Sequence, residues 1–319
     1  MKNAKCKKCG KPAVVKFRTY RISLCEACLP AFYESLVERS VKKHRILREN
    51  ERVLVAVSGG KDSVALASTL KNLASKLNLS LEIIHINLGI GEYSEKSEEV
   101  VRELAEMLEI PLQVEHLSDF GFTIPAVRMR KVCSACGTAK RYLMNRYARL
   151  HRFDVVATGH TCDDFAAFAL KNIAGGNLEW LLKFQPRAES FAEGVVTKVR
   201  PLFERTEEEN LLYVKAKRLP FLADKCPFSP PKDEWKEIVR EIERKKAGFM
   251  RNFVRGIAKI ASASGESGAS VKYCKICGEI ASSDVCAFCK LRLRSVVAES
   301  ENGMRRSATV TDKFKPSLT

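Results

Sequence analysis

Twelve cysteines fall into sets whose spacing separates two kinds of metal chemistry. Cys6-x2-Cys9 and Cys25-x2-Cys28 are separated by 15 residues, and Cys274-x2-Cys277 and Cys286-x2-Cys289 by 8. Each set has the spacing of a four-thiolate tetrahedral zinc site, because a Cys-x2-Cys turn aims two sulfurs at one ion. Gly10 and Gly278 give the backbone room to turn after the first pair of each set. Four protein ligands leave no open position, so zinc held there is expected to be structural. Eight unrelated buried thiols would not fall into two complete quartets.

Cys133-Ser134-Ala135-Cys136-Gly137 is expected between the third strand and the next helix, with Cys226-Pro227 well downstream. A lone Cys-x2-Cys serves zinc or a redox pair equally well. A third thiol, near a nucleotide-type loop in a basic chain, favours a 4Fe–4S cluster. Three thiolates can hold such a cluster and leave one iron without a protein ligand, free to carry sulfide. Spacing alone leaves these alternatives open.

Ser58-Gly59-Gly60-Lys61-Asp62-Ser63 follows an apolar run and opens a helix. Two glycines let backbone N–H groups approach an anion, and the helix N-terminus adds positive potential. The loop lacks the Gly-x4-Gly-Lys-Ser/Thr spacing of a Walker A motif. An ordinary strand-to-helix turn with Asp62 near the cap is the bland alternative.

Positioning these residues takes alternating elements. Residues 30–48 have helical spacing, with Pro30 in the first turn. Strands are predicted over Arg52–Val57, Leu81–Leu88, Pro111–Leu117 and Asp154–Gly159, with a further one over Lys198–Phe203. Helices are predicted from Val64 to Leu77, over 95–109, 138–151 and 163–174, from Glu207 to Leu219, and over 232–260. Strands alternating with helices imply right-handed crossovers and a parallel sheet, so the fold class is α/β. In such sheets ligands sit beyond the carboxyl ends of the strands. The Ser58 loop, His85–Asn87 and Gly159–Asp164 should therefore converge. The expected organisation is a zinc module over 1–29 and a connecting helix over 30–50. A nucleotide domain with the three-thiol site follows over 51–228, then a basic helical segment over 229–262. A second zinc module spans 263–298, reached through the flexible Ala261–Ser270, and a disordered tail covers 299–319.

The chain has 319 residues, 45% of them hydrophobic, enough for a packed α/β core. Its net charge is +17, from 55 Lys and Arg against 38 Asp and Glu. Such an excess points to a polyanionic partner, RNA or DNA. No run of about 18 apolar residues suggests a membrane span. The start runs directly into a cysteine pair without an apolar leader, and unpaired cysteines at metal spacing suit a reducing compartment, so a cytoplasmic protein is expected.

The Ser58–Ser63 loop resembles that of the PP-loop ATP pyrophosphatases. The whole assembly resembles the TtuA family of tRNA 2-thiouridine synthases. The matching stretches are Val55–Ser63, Leu88–Ser94, Cys133–Gly137, Ala157–His160, Asp163-Asp164, Cys226-Pro227 and Val285–Cys289, in order along nearly the whole chain. The resemblance implies a Rossmann-like PP-loop domain between two zinc modules, in a homodimer. It implies an enzyme that uses ATP and Mg²⁺ and carries two zinc ions and a 4Fe–4S cluster on Cys133, Cys136 and Cys226. Its reaction would replace the 2-oxygen of 5-methyluridine 54 in tRNA by sulfur, AMP first activating that oxygen.

By the same resemblance Ser58, Gly59, Gly60, Lys61, Asp62 and Ser63 would hold the phosphates. Ala56 and Ile86 would hold adenine through their backbone, and Gly159 would line the nucleotide site. Lys140 would neutralise charge on the α-phosphate, and Asp164 would bind Mg²⁺ or the nucleotide. Plain alternatives are an exposed helix lysine and an N-cap. The sulfur donor would be a thiocarboxylated ubiquitin-like protein or sulfide.

Two residues depart from the pattern. Cys28 stands where some relatives have His, and both ligate zinc. Thr161-Cys162 stands where Asn-Leu is usual, so Cys162 could be a bystander, a sulfur relay or a competing cluster ligand. Related possibilities are a thiolase acting on wobble uridine 34, an amidating PP-loop ligase and a non-catalytic zinc-ribbon RNA adaptor. The ligase would not need the three thiols, and the intact Ser58–Ser63 loop argues against the adaptor.

Overall fold

The structure is a computed structural model that describes residues 4–127, 132–183, 185–230, 232–263 and 272–301. A hairpin, β1 (Val15–Phe17) and β2 (Ile22–Leu24), lies between the first two cysteine pairs and leads to α1 (Leu29–Lys43). The central domain runs β3 (Arg52–Ala56), α2 (Lys61–Leu77), β4 (Ser80–Asn87), α3 (Gly91–Leu108) and β5 (Leu112–His116). It continues with α4 (Val132–Leu150), β6 (Val155–Ala157), α5 (Cys162–Ala174), α6 (Glu179–Lys183), β7 (Arg187–Ala188), β8 (Thr197–Val199) and α7 (Glu207–Ala216). Helices α8 (Glu234–Lys245) and α9 (Phe249–Ala263) follow, then β9 (Lys272–Tyr273), β10 (Ile280–Ala281) and α10 (Ala287–Glu301).

The sheet order is β5-β4-β3-β6-β8-β7, parallel except for β7 at the edge. Val53, Leu54 and Val55 are fully buried because the middle strand is covered on both faces. Val53 and Val55 face α2, while Leu54, Ile84 and Val156 face α4. The chain goes from β3 outward to β5, then returns past β3 to β6. That reversal opens a crevice between the carboxyl ends of β3 and β6, where the two predicted loops begin.

Several elements differ from expectation. Helix α4 starts at Val132, so Cys133 and Cys136 lie on its first turns and not in a connecting loop. Helix α2 starts at Lys61, directly after the two glycines. The basic segment is two helices, broken at Gly248, whose φ of +90° suits glycine. Glu243 accepts the Gly248 and Met250 N–H groups at 2.5 and 2.8 Å and so starts α9. Both helices pack on α5 and bury Val239, Met250 and Val254 in the main core. They are part of the domain. The expected Lys198–Phe203 strand ends at Val199, and α6 and β7 had no periodicity to announce them. The expected linker lies partly outside the described residues, as does the tail beyond Glu301.

Glu204 fixes this packing. It takes Arg255 at 2.6 and 2.5 Å and His44 at 2.9 Å while only 3% exposed. Burial would raise its carboxyl, but the His44 and Arg255 hydrogen bonds and the Arg255 and Arg205 charges hold it down at about 2. A carboxyl depressed from an ordinary value near 4.5 stabilises the fold fully above that value and loses the contribution as pH falls towards 2. Glu204→Gln is therefore expected to cost about 3 kcal/mol at neutral pH, and less at pH 3. Urea melts at the two pH values check this; an equal cost at both would contradict it.

Candidate active site

The loop after β3 is built by its own serines. Ser58 N–H donates to Ser63 Oγ at 3.1 Å, and Ser63 Oγ donates to the Gly60 carbonyl at 2.9 Å. Ser97 from α3 donates to the Ser58 carbonyl at 2.8 Å. Backbone approach from the β6 side requires Gly159: a Cβ there would lie 3.1 Å from the Asp62 carbonyl and the Ser63 nitrogen. Ala56 ends β3 opposite Ile84, and β4 continues through Ile86 to Asn87. The backbone of Ile86 thus extends past β3 at the mouth of the crevice.

Lys61 pairs with two carboxylates. Its Nζ lies 2.9 Å from Asp62 Oδ2 and 3.1 Å from Glu207 Oε2. Asp62 Oδ1 accepts from Asn210 Nδ2 at 2.8 Å, and Tyr33 donates to Asn210 Oδ1 at 2.5 Å. Burial outweighs these partners and raises the Asp62 carboxyl. Asp164 plays the capping part. Its Oδ2 accepts from Thr161 N and Oγ1 at 2.7 and 2.8 Å, the capping box of α5. Its Oδ1 lies 2.5 Å from Lys236 Nζ on α8. Burial opposes ionisation of Asp164, but the Lys236 charge prevails and lowers its carboxyl. Lys236 also holds Glu207 at 2.7 Å, so one ion network joins the loop, α5, α7 and α8.

The three remaining predicted thiols approach the same crevice from the α4 side. Leu222 N–H donates to the Gly59 carbonyl at 2.8 Å, which ties the Cys226 segment to the loop. Cys133 Sγ donates to the Phe228 carbonyl at 3.4 Å, which ties the same segment to α4. Burial raises the Cys136 thiol; Lys140 opposes this, and Cys226 and Cys133 add to it. Burial likewise pushes the Lys140 ammonium down, against the charges of Cys136 and Cys226. Among the described residues, only the terminal quartets bring three or more ligand atoms within 4.8 Å of one another. The three central thiols do not meet that limit.

In each terminal quartet all four sulfurs meet that limit, with Cys9–Cys25 at 3.5 Å and Cys277–Cys286 at 3.7 Å. Backbone N–H groups of Lys8, Cys286 and Cys289 point at Cys6, Cys274 and Cys286, as a thiolate site requires. Gly10 and Gly278 turn with φ of +76° and +74°. These donor sets fit zinc. The C-terminal quartet is docked on the domain, with Phe288 stacked on Tyr142 at 3.8 Å and Arg149 on Glu279 at 2.5 Å.

A PP-loop domain model matches residues 33–230. The tRNA-5-methyluridine(54) 2-sulfurtransferase of Pyrococcus horikoshii is 39% identical over 90% of this chain and 93% of its own. The chain belongs to the PP-loop tRNA-thiolase family. The protein of the same description from Thermotoga maritima is 36% identical over 90% of this chain and 96% of its own. A solved structure, the U34-tRNA thiolase NcsA from Methanococcus maripaludis with its [4Fe-4S] cluster, superposes with a TM-score of 0.76. It is 26% identical and covers 96% of this chain and 99% of that one.

In this member of the family the PP-loop has four supports that sequence reasoning missed: Ser97, Glu207, Asn210 and Lys236. Glu207 and Asn210 open α7 behind Thr206, which caps it, so their signal was a capping box and nothing more. Lys236 carried no signal, since its partners Asp164 and Glu207 are distant in sequence. Among the described residues, no helix is long and apolar enough to cross a membrane.

Proposed function

We propose that this protein replaces the 2-oxygen of 5-methyluridine 54 in tRNA by sulfur, cleaving ATP to AMP and diphosphate, in the cytoplasm and as a homodimer. The observation that carries the reading is the Leu222–Gly59 hydrogen bond, which makes the thiol-bearing segment and the PP-loop two walls of one crevice. The 2-sulfurtransferase relatives at 39% and 36% identity support position 54.

Ser58, Gly59, Gly60, Asp62 and Ser63 hold the leaving diphosphate, with the N-terminus of α2 supplying positive potential. The backbone of Ala56 and Ile86 receives adenine. Lys140 meets charge developing on the α-phosphate as AMP passes to the uracil oxygen. Asp164 would bind a Mg²⁺ ion travelling with the nucleotide only by exchanging its Lys236 contact for the ion. Cys133, Cys136 and Cys226 would hold a 4Fe–4S cluster, which supplies an iron without a protein ligand where sulfide can reside. Each terminal quartet would hold one structural zinc.

The NcsA likeness favours a second reading, thiolation of uridine 34. Anaerobically purified protein, given ATP, sulfide and unmodified or 5-methylated tRNA, separates them. Nuclease mapping should find 2-thio-5-methyluridine at position 54. Sulfur at position 34 alone would sink the first reading, and no ATP turnover would sink both.

A further inference from the structure

Side chains decide where β3 parts from β4. Ala56 lies opposite Ile84, so Val57 faces His85, and the Val57 N–H donates to the Ile84 carbonyl at 3.0 Å. In a parallel ladder the next rung would run from the Ile86 N–H to the Val57 carbonyl. Instead His85 Nδ1 donates to that carbonyl at 2.9 Å. Among the described residues no hydrogen bond joins the Ile86 N–H to Val57. The next carbonyl, that of Ser58, is also met by a side chain, Ser97 Oγ at 2.8 Å. His85 is 3% exposed, and among the described residues its Nε2 has no hydrogen-bond partner. A carbonyl only accepts, so Nδ1 carries the proton and Nε2 is a buried, bare acceptor. Burial also pushes the imidazolium down, which keeps the ring neutral. An orphaned acceptor carries a desolvation cost that an aliphatic side chain would avoid, so the use of this ring lies at Nδ1.

Successive residues of β4 turn their backbone groups to alternate neighbours. The Ile83 N–H donates at 2.7 Å to Pro111 on the β5 side, and the Ile84 carbonyl accepts on the β3 side. Ile86 comes two residues after Ile84, so its N–H and C=O both point to the side where β3 has ended. We propose that His85 is a positioning residue for the nucleotide base: by taking the Val57 carbonyl it leaves the Ile86 N–H and C=O as a donor–acceptor pair that selects adenine. Adenine offers its N6 amino donor beside a ring-nitrogen acceptor and matches that pair. Hypoxanthine and guanine carry O6 in place of the amino group, which sets a second acceptor against the Ile86 carbonyl. This rests on the functional reading above and adds which side chain keeps the base-reading groups out of the sheet.

The test uses the full-length protein purified without oxygen, with His85→Leu, His85→Asn and His85→Gln. Calorimetry without tRNA measures binding of ATP, ITP and inorganic diphosphate. In His85→Leu the Val57 carbonyl is free to take the Ile86 N–H. ATP should then bind about tenfold more weakly, and its advantage over ITP should shrink by about as much, with diphosphate affinity kept within about twofold. Asn places its Nδ2 where Nδ1 stands, and Gln places its amide one bond further out. His85→Asn should therefore restore most of the preference for ATP, and His85→Gln little of it. A histidine that only packs would lower the melting temperature and leave the ratio of ATP to ITP affinity alone; that result would overturn the proposal. Equal ratios in the Asn and Gln variants would overturn it too, as would a wild type that binds ITP as tightly as ATP. If the Leu and Gln variants do not fold, hydrogen exchange in the wild type decides. Protection of the Ile86 amide should rise with ATP and not with diphosphate, and protection unchanged by ATP would overturn the assignment. A wild type that prefers ATP yet leaves tRNA unthiolated counts against the functional reading and leaves His85 to these ratios.

Discussion

Cys226→Ala, purified without oxygen, is expected to lose its iron and labile sulfide and all thiolation, while binding ATP as the wild type does. Cys162→Ala is expected to keep all three. The contrast follows from where the two thiols lie. Cys226 is half-buried in the turn whose Phe228 carbonyl accepts from Cys133, and its charge reaches Cys136 and Lys140. Cys162 is 0% exposed at the start of α5, with its N–H donated to the Arg205 carbonyl at 2.7 Å. Burial, with Asp163 and Glu209 adding, holds its thiol well above the ordinary range, so it remains a neutral S–H. Cys162 packs in the core on the α2 side of the sheet, whereas Cys136 and Cys226 pack with the α4 side. It fills core volume among Phe165, Ala166 and Phe203, and Cys162→Ala should cost about 1 kcal/mol of stability. Of the three roles its position suggested, this packing favours the bystander. Iron, sulfide and zinc analyses decide the matter. A Cys162→Ala protein without iron, or a Cys226→Ala protein with its full content, would reverse the assignment.

Lys140→Gln should lower kcat by about 10² to 10³ and leave the KM for ATP within a few-fold, because a cation aimed at charge that develops during reaction acts mainly in the transition state. Burial lowers the Lys140 ammonium, and its neighbouring charges are the Cys136 and Cys226 thiols, with no carboxylate among them. A lysine pushed below its ordinary 10.5 loses its proton earlier as pH rises. The wild-type rate should therefore fall on the alkaline side below the pH where an ordinary lysine titrates, and Lys140→Gln should lack that limb. Single-turnover AMP release against pH measures both effects. A higher KM with unchanged kcat would make Lys140 a nucleotide anchor and remove it from the chemistry.

The cysteine spacings, the Ser58–Ser63 loop and the alternation of apolar runs were enough to derive the α/β fold, the two quartets and the PP-loop. Each is local: a Cys-x2-Cys turn, a glycine pair after a strand and a buried strand's continuous Val and Leu need only neighbours in sequence. The sequence could not say that the third cysteine pair starts a helix, because residues 132–137 (VCSACG) have weak helical propensity and α4 is held by Ala139 and Leu143 against the sheet. It could not say that α8 and α9 belong to the domain, since the apolar face of a helix does not name the surface that buries Val239, Met250 and Val254.

Nor could it rank the uses of Asp164, whose two oxygens cap α5 and hold Lys236. The same holds for Cys162, whose burial at the start of α5 only the fold reveals. Only tertiary structure brings Lys236 to Asp164 across 72 residues. Spacing fixes what one turn of chain can do. Electrostatic fields and burial are sums over residues that are neighbours only after folding.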